Sequence, residues 1–306
     1  MRYLVALEQH RHFGRAASAC HITQPALSNA LRALEAELDV AIVRRGRSYE
    51  GLTPDGERVL ASANRLLREQ ELLRQDLHSS AGAPRGTLSI GAVPTAIPVA
   101  ARFASQLQAR YGGVKPVVRS LSSPEIETGL ESLSLDIGLG YTERGSKFTA
   151  FAQYEEQYFL LRRVATGAGA GAPLRLGAVL SWRDAAAMPL CLLTPEMHNR
   201  SIVDDAFRQA GVAVTPVIET NSIVTAVLSV LDGEVCSVLP GALMSLVRGR
   251  TGLEALPLRA PEVRTPIGFM VAAGTRPSRA LEAALTLAQD GAWLRHAALQ
   301  GGLMTA

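Results

Sequence analysis

Cysteine is scarce in this chain and poorly placed for structural chemistry. Cys20, Cys191 and Cys236 are odd in number, widely spaced and without a CxxC pair, which argues against a disulfide framework or a zinc site and leaves them as buried thiols. Long apolar runs are missing as well: SIVTAVLSVL at 222–231 is about half of the roughly 20 residues that a membrane-spanning helix requires. No signal-peptide pattern opens the chain, because Arg2, Tyr3 and Leu4 lead directly into Glu8, His10 and Arg11. A cytoplasmic location and no membrane partner are expected. Catalytic signatures are absent too: there is no GxSxG elbow, no HExxH, no GxGxxG between strand and helix and no Walker-type phosphate loop. The six histidines are scattered without metal-ligand spacing. The glycine run GAGAGAP at 167–173 leads into LRLGAVL rather than a helix, so it reads as a surface loop. No enzyme, metal or cofactor is expected. A formal charge of +3 is too small for a general nucleic-acid coat, although residues 1–52 carry seven Arg against five Asp or Glu.

What is present is concentrated at residues 15–38, RAASACHITQPALSNALRALEAEL. Leu27, Leu31, Leu34 and Leu38 recur at helical steps and share one side of a helix, leaving Gln24, Pro25, Ser28, Asn29, Arg32 and Glu35 on the other. Thr23 stands where an N-cap belongs and Pro25 lies in the first turn, where a missing N–H costs nothing. Ala16, Ala17 and Ala19 keep a preceding short helix thin, and His21-Ile22 supplies the turn. The layout is helix-turn-helix. Leu4, Val5 and Leu7 mark a first helix over residues 1–12, whose start is expected upstream of Met1.

The run AA, then QPALS, then LE and EL, followed by Val43-Arg44-Arg45, Leu52-Thr53-Pro54 and Gly56, resembles the LysR-type transcriptional regulators. In that family the second helix lies in the major groove. The resemblance therefore makes Gln24, Pro25, Ser28, Asn29 and Arg32 the candidate base and phosphate contacts, and Gln, Asn and Arg suit base edges chemically. Cys20, Asp39 and Val43 depart from the family's usual Leu, Gly and Phe, and Gly14 stands where it often has a Ser or Thr cap. Residues 41–52, AIVRRGRSYEGL, read as a two-stranded wing with Gly46 near its tip, and Arg44, Arg45 and Arg47 as its DNA contacts. The sensing cysteines of some relatives lie close together in sequence, whereas Cys191 and Cys236 are 45 positions apart.

Thr53 and Pro54 cap a long helix to about residue 79, in which Val59, Ala63, Leu66, Gln70, Leu73 and Leu77 form a heptad seam widened by Leu60 and Leu67. Such a stripe in polar surroundings predicts a dimer made by two copies of the helix, as the family's linker helix does. SSAGAPRG at 79–86 is a connector. Beyond it, strand and helix patterns alternate: TLSIGAV, a helix over 95–110, KPVVRSL, a helix over 124–133, LDIGLGY, then PLCLLT, a helix over 199–210, TPVIET, a helix over 222–231, CSVLP, TPIGFMVA and a last helix over 278–294. Alternation predicts parallel sheets with helices on their faces.

The expected fold is thus multidomain α/β: a winged helix-turn-helix at 1–52, a linker helix at 53–80 and a periplasmic-binding-protein-like effector domain at 86–306. Its two α/β subdomains are expected at 87–160 with 264–306, and at 161–263. Ligands in such sheets bind where strand carboxyl ends meet helix starts, which selects Thr95, Ser122, Ser123, Thr194, Asn221 and Ser222, with His198 adding charge. His198 and Arg200 are each read either as such a charge or as a helix-surface group. The expected function is a sequence-specific DNA-binding regulator modulated by a small anionic effector. Its partners would be double-stranded DNA, that effector, a second copy through the linker, a tetramer as a dimer of dimers, and RNA polymerase. Two alternatives stand beside it: a redox-sensing regulator of the same family, and a small-molecule-binding protein without regulatory DNA binding.

Overall fold

The computed structural model describes residues 1–44, 46, 49–78, 83–144, 147–164, 173–274 and 276–299. The expectations placed on Arg45, Arg47, residues 79–82 of the connector, residues 167–172 of the glycine run and the Leu77 side chain lie outside what is described. Two compact units result, residues 1–83 with 128–135, and residues 84–127 with 136–306. No helix among the described residues is long and apolar enough to cross a membrane.

The first unit begins with α1 (Arg2–His10), α2 (Phe13–Ala19) and α3 (Gln24–Leu38). Leu4, Leu7, Ala16, Ala17, Leu27, Leu31, Ile42 and Leu52 close over one another as its core. Small residues at 16 and 17 let α2 pack closely, while Ala19 is exposed. The α2 cap is the His12 ring, which accepts from the Arg15 N–H at 3.2 Å, so position 14 does not supply it. The Leu stripe of α3 is shorter than its spacing implies: Leu38 is 40% exposed, because the helix ends there and Asp39 turns into the left-handed region at φ 51°. After the wing comes α4 (Pro54–His78), whose first turn is capped by Thr53 Oγ1 accepting from the Gly56 N–H at 2.9 Å. Gly56 is required there: a Cβ would stand 2.1 Å from the Ile42 carbonyl oxygen.

Beyond α4 the chain runs β1 (Gly86–Ala92), α5 (Ile97–Arg110), β2 (Val114–Ser120), α6 (Ser123–Glu131), β3 (Ile137–Tyr141) and β4 (Phe148–Glu156). One residue later it enters β5 (Tyr158–Arg163), then β6 (Arg175–Leu176), β7 (Leu180–Ser181), α7 (Trp182–Ala186), β8 (Leu190–Leu193) and α8 (His198–Gln209). It continues through β9 (Ile218–Thr220), α9 (Ile223–Asp232), β10 (Cys236–Pro240), β11 (Leu253–Arg259), β12 (Thr265–Ala272), α10 (Arg279–Ala288) and α11 (Gly291–Ala298). The strands form two sheets, β2-β1-β3-β12-β4 and β6-β11-β5-β10-β8-β9, the latter with β7 beside β11.

Neither sheet is wholly parallel as alternation alone predicts. β12 pairs antiparallel with β3 and β4, and β5 pairs antiparallel with β10 and β11. β4, β6, β7 and β11 carry no clear alternation of their own and were not expected as strands. The last helix is two, because Asp290 starts a new one by accepting from the N–H groups of Ala292 and Trp293. The antiparallel pairings also fix where the sheets are joined. They bring the amino ends of β5 and β12 to the carboxyl edge of the parallel strands, so both passages between sheets, at Gln157 and between Arg259 and Thr265, lie at that edge.

Candidate functional site

In the first unit α3 starts as its residues dictate. Thr23 is extended and its Oγ1 accepts from the Ala26 N–H at 3.4 Å, with Pro25 in the first turn. With Leu27 and Leu31 turned into the core, Gln24, Pro25, Asn29 and Arg32 are exposed and Ser28 is half-buried, all on the outward side. Glu35 does not join them. Its Oε1 accepts from the N–H groups of Ile42 and Val43 at 2.8 and 3.1 Å and so ties the wing to the helix. The wing closes through an antiparallel bridge between Val43 and Leu52 and a 3.0 Å bond from the Arg44 N–H to the Gly51 carbonyl. Arg44 is exposed, with its Nε donating to the Leu52 carbonyl at 2.8 Å. On the returning side Tyr49 donates its hydroxyl to Glu8 of α1 and stacks edge-on against Phe13. Sequence spacing contains no signal for either carboxylate strut, since both link residues on different elements.

The second unit gathers polar side chains at the carboxyl edge. Thr95, in the turn after β1, is buried and its Oγ1 lies 3.2 Å from the hydroxyl of Tyr141, the last residue of β3. Asn199, at the start of α8, donates from Nδ2 to the hydroxyls of Tyr141 at 3.4 Å and Tyr158 at 3.2 Å. Tyr158, the first residue of β5, reaches Thr265, the first of β12, at 3.5 Å. This chain of Thr95, Tyr141, Asn199, Tyr158 and Thr265 passes back and forth between the two sheets' subdomains. Burial pushes the Tyr141 and Tyr158 hydroxyls well above the usual phenol range.

Of the seven expected effector residues, Thr95 joins this group directly and His198 joins through Tyr141, their rings 4.6 Å apart. Ser123 is buried at the start of α6 with its Oγ lacking any hydrogen-bond partner, an unmet donor that a bound group would satisfy. The others are engaged locally. Ser122 donates to Glu125 at 2.7 Å, Thr194 donates to Glu196 at 2.6 Å, and Ser222 caps α9 by accepting from the Thr225 N–H at 3.2 Å. Asn221 is exposed. Arg200 is committed to Asp204, Glu219 and the Leu193 carbonyl. Tyr141, Asn199 and Tyr158 escaped sequence reasoning. Their signal, an aromatic or amide at a strand or helix terminus, is visible only once the termini are known to meet.

Cys191 and Cys236 sit on neighbouring strands one register step apart and point to opposite faces, Cys191 into the core over β8 and α9, Cys236 into that over Trp182 and Phe207. Burial pushes both thiols up. Cys20 belongs to the first unit, at the end of α2. Among the described residues no cluster of His, Cys, Asp or Glu is suited to a metal ion.

Comparison with known proteins places both units. The LysR substrate binding domain matches residues 81–293, and the bacterial regulatory helix-turn-helix protein of the lysR family matches residues 1–57. The chain is 27% identical over 285 residues to the DNA-binding transcriptional dual regulator OxyR of Escherichia coli (strain K12), covering 90% of this chain and 89% of the relative. It is 38% identical over 119 residues to the SDS degradation transcriptional activation protein of a Pseudomonas species, covering 39% and 38% of the two chains. Among solved structures, a full-length OxyR variant from Pseudomonas aeruginosa superposes with a TM-score of 0.68 at 26% identity, over 93% of this chain and 94% of that one. Full-length CbnR, crystallised with its target DNA, shares the fold at a TM-score of 0.66 and 18% identity, over 97% and 98%. The chain belongs to the LysR family of transcriptional regulators, with a DNA-binding helix-turn-helix head followed by an effector-binding domain.

Proposed function

We propose that α3 reads the major groove of operator DNA with Gln24, Pro25, Ser28, Asn29 and Arg32, while Arg44, Arg45 and Arg47 of the wing hold the flanking phosphates. The observation that carries this is the polar outer side of α3, left exposed opposite the buried Leu27 and Leu31. A small organic anion, held at the carboxyl edge by Thr95, the unmet Ser123 hydroxyl, Tyr141 and Asn199, shifts the balance between two arrangements of the subdomains, and with it the spacing of the reading heads. Leu66 and Leu73, seven residues apart on α4 and each 58% exposed, support self-association through the linker. Val217 and Ile218 at the start of β9, and Val224 and Leu228 on α9, are exposed apolar residues as well, which supports a tetramer. The regulator acts in the cytoplasm, and promoter-bound RNA polymerase is its further contact.

The test is a footprint upstream of the protein's own gene at defined salt, with and without a panel of small carboxylates. A protected interval of several helical turns that one acid shortens supports both halves of the reading. Ser28→Ala and Arg32→Ala should weaken it, and Thr95→Val should leave protection but remove the response. Unchanged affinity in the first two variants removes α3 as the reader.

Some relatives are named as hydrogen peroxide-inducible activators, which favours a second reading as an oxidant sensor. The cysteines argue against a disulfide form of it. A bridge needs Cβ atoms about 4 Å apart and facing each other, and Cys191 and Cys236 face opposite sides of their sheet. Peroxide should leave the footprint unchanged.

A further inference from the structure

At the first passage between the sheets, Glu156 ends β4 two residues before Tyr158 begins β5. Its side chain is fully buried, and in the ladder it faces Thr265, where β12 starts and the second passage ends. A carboxyl at the joint of two subdomains is an expensive choice, because an ionised carboxylate without water or a cation is strongly disfavoured. The groups around it offer no charge compensation. Tyr154 on its own strand donates to Oε1 at 3.5 Å, Oε2 has no hydrogen-bond partner, and Tyr141 from β3, Tyr158 from β5 and Thr265 from β12 are all neutral hydroxyls. The charged residues beside it, Glu155 and Arg264, are exposed and bond each other at 3.3 Å. His198 lies beyond the Tyr141 ring.

We propose that Glu156 is a positioning residue for the effector response: it keeps its proton while the joint is closed and releases that proton to water when the subdomains swing apart. The inference rests on the effector reading above. Burial, partly offset by the Tyr154 hydrogen bond, raises this carboxyl to about 8, so it is mostly neutral in the closed joint at pH 7. Opening admits water and returns it toward the ordinary carboxylate range. Opening is therefore favoured as pH rises up to the closed-state value, and gains nothing further above it. An effector that stabilises the closed arrangement binds more tightly at lower pH by the same linkage.

The experiment compares the full-length wild type with Glu156→Gln, which keeps the shape and cannot lose a proton. Hydrogen exchange at the two passages is read without DNA or effector, so the result stands whether or not the operator reading does. Relative to the Gln variant at each pH, opening of the wild type should rise by up to about tenfold per pH unit between about 5.5 and 7.5, then level off above about 8. Parallel behaviour of the two proteins overturns the proposal, as does a rise that continues unchanged to high pH. Infrared spectra guard against a misfolded variant. The wild type at pH 7 should show the absorption of a protonated carboxyl that disappears at pH 10, and its absence at pH 7 also overturns the proposal. A footprint repeated at both pH values then tests the operator reading separately.

Discussion

Glu35→Ala separates the carboxylate's role in holding the wing from any role in reading DNA. Glu35 Oε1 accepts two backbone bonds, at 2.8 Å from Ile42 and 3.1 Å from Val43, and Ile42 is fully buried. Hydrogen bonds to a charged group contribute about 1.5–3 kcal/mol each, and water reaching the half-buried Val43 N–H recovers part of one. Removal should cost about 2–4 kcal/mol of local stability. That corresponds to roughly 30- to 900-fold faster hydrogen exchange at the two amides. Glu35→Gln retains an oxygen acceptor and should restore most of the protection. In DNA binding, the Ala variant should no longer hold the wing against its phosphates, lowering the salt-dependence slope by about 1 for each phosphate left unneutralised, while the α3 half-site stays protected. Unchanged exchange at Ile42 and Val43 in Glu35→Ala would refute the reasoning.

Three further outcomes are expected. The folded chain binds the Glu156 proton more tightly than the unfolded chain, raising that carboxyl from 4.5 to about 8. Its contribution to stability is therefore greatest below pH 4.5, falls between 4.5 and 8 by about 5 kcal/mol in all, and is level above, so urea midpoints of wild type and Glu156→Gln should diverge from pH 5 to pH 8. Parallel midpoints would count against it. Asp39 holds φ at 51°, which glycine adopts without steric cost, so Asp39→Gly should stabilise the first unit by about 0.5–1 kcal/mol, and a lower melting temperature contradicts this. Because Leu66 and Leu73 are exposed in the single chain, the double change to Glu should leave the helix intact and give monomers in sedimentation; dimers of unchanged affinity would move the interface elsewhere.

The head of the molecule was legible because its signals are local. A cap at Thr23, a proline one step inside the helix and a Leu spacing that repeats every turn act within a few residues, and the structure has each of them. The same local reasoning gave Glu35 no partner and turned Leu38 inward. One is drawn aside by a wing that spacing within a helix does not reveal, and the other lies where the helix stops.

Strand alternation in turn located most of the elements of the second unit, including TPIGFMVA at 265–272 as β12, and it picked Thr95 as a hydroxyl at a strand's carboxyl end. It was silent on direction. A β-strand's residue pattern repeats every second position whichever way its neighbour runs, so only tertiary structure decided that β5 and β12 are antiparallel to their sheets. That decision brings Tyr141, Glu156, Tyr158, Asn199 and Thr265, scattered over more than a hundred positions, to one buried joint. The sequence by itself determined the family and the helix-turn-helix, because those rest on contacts between near neighbours. The buried cluster at the joint was decided by long-range strand pairing, which no local pattern encodes.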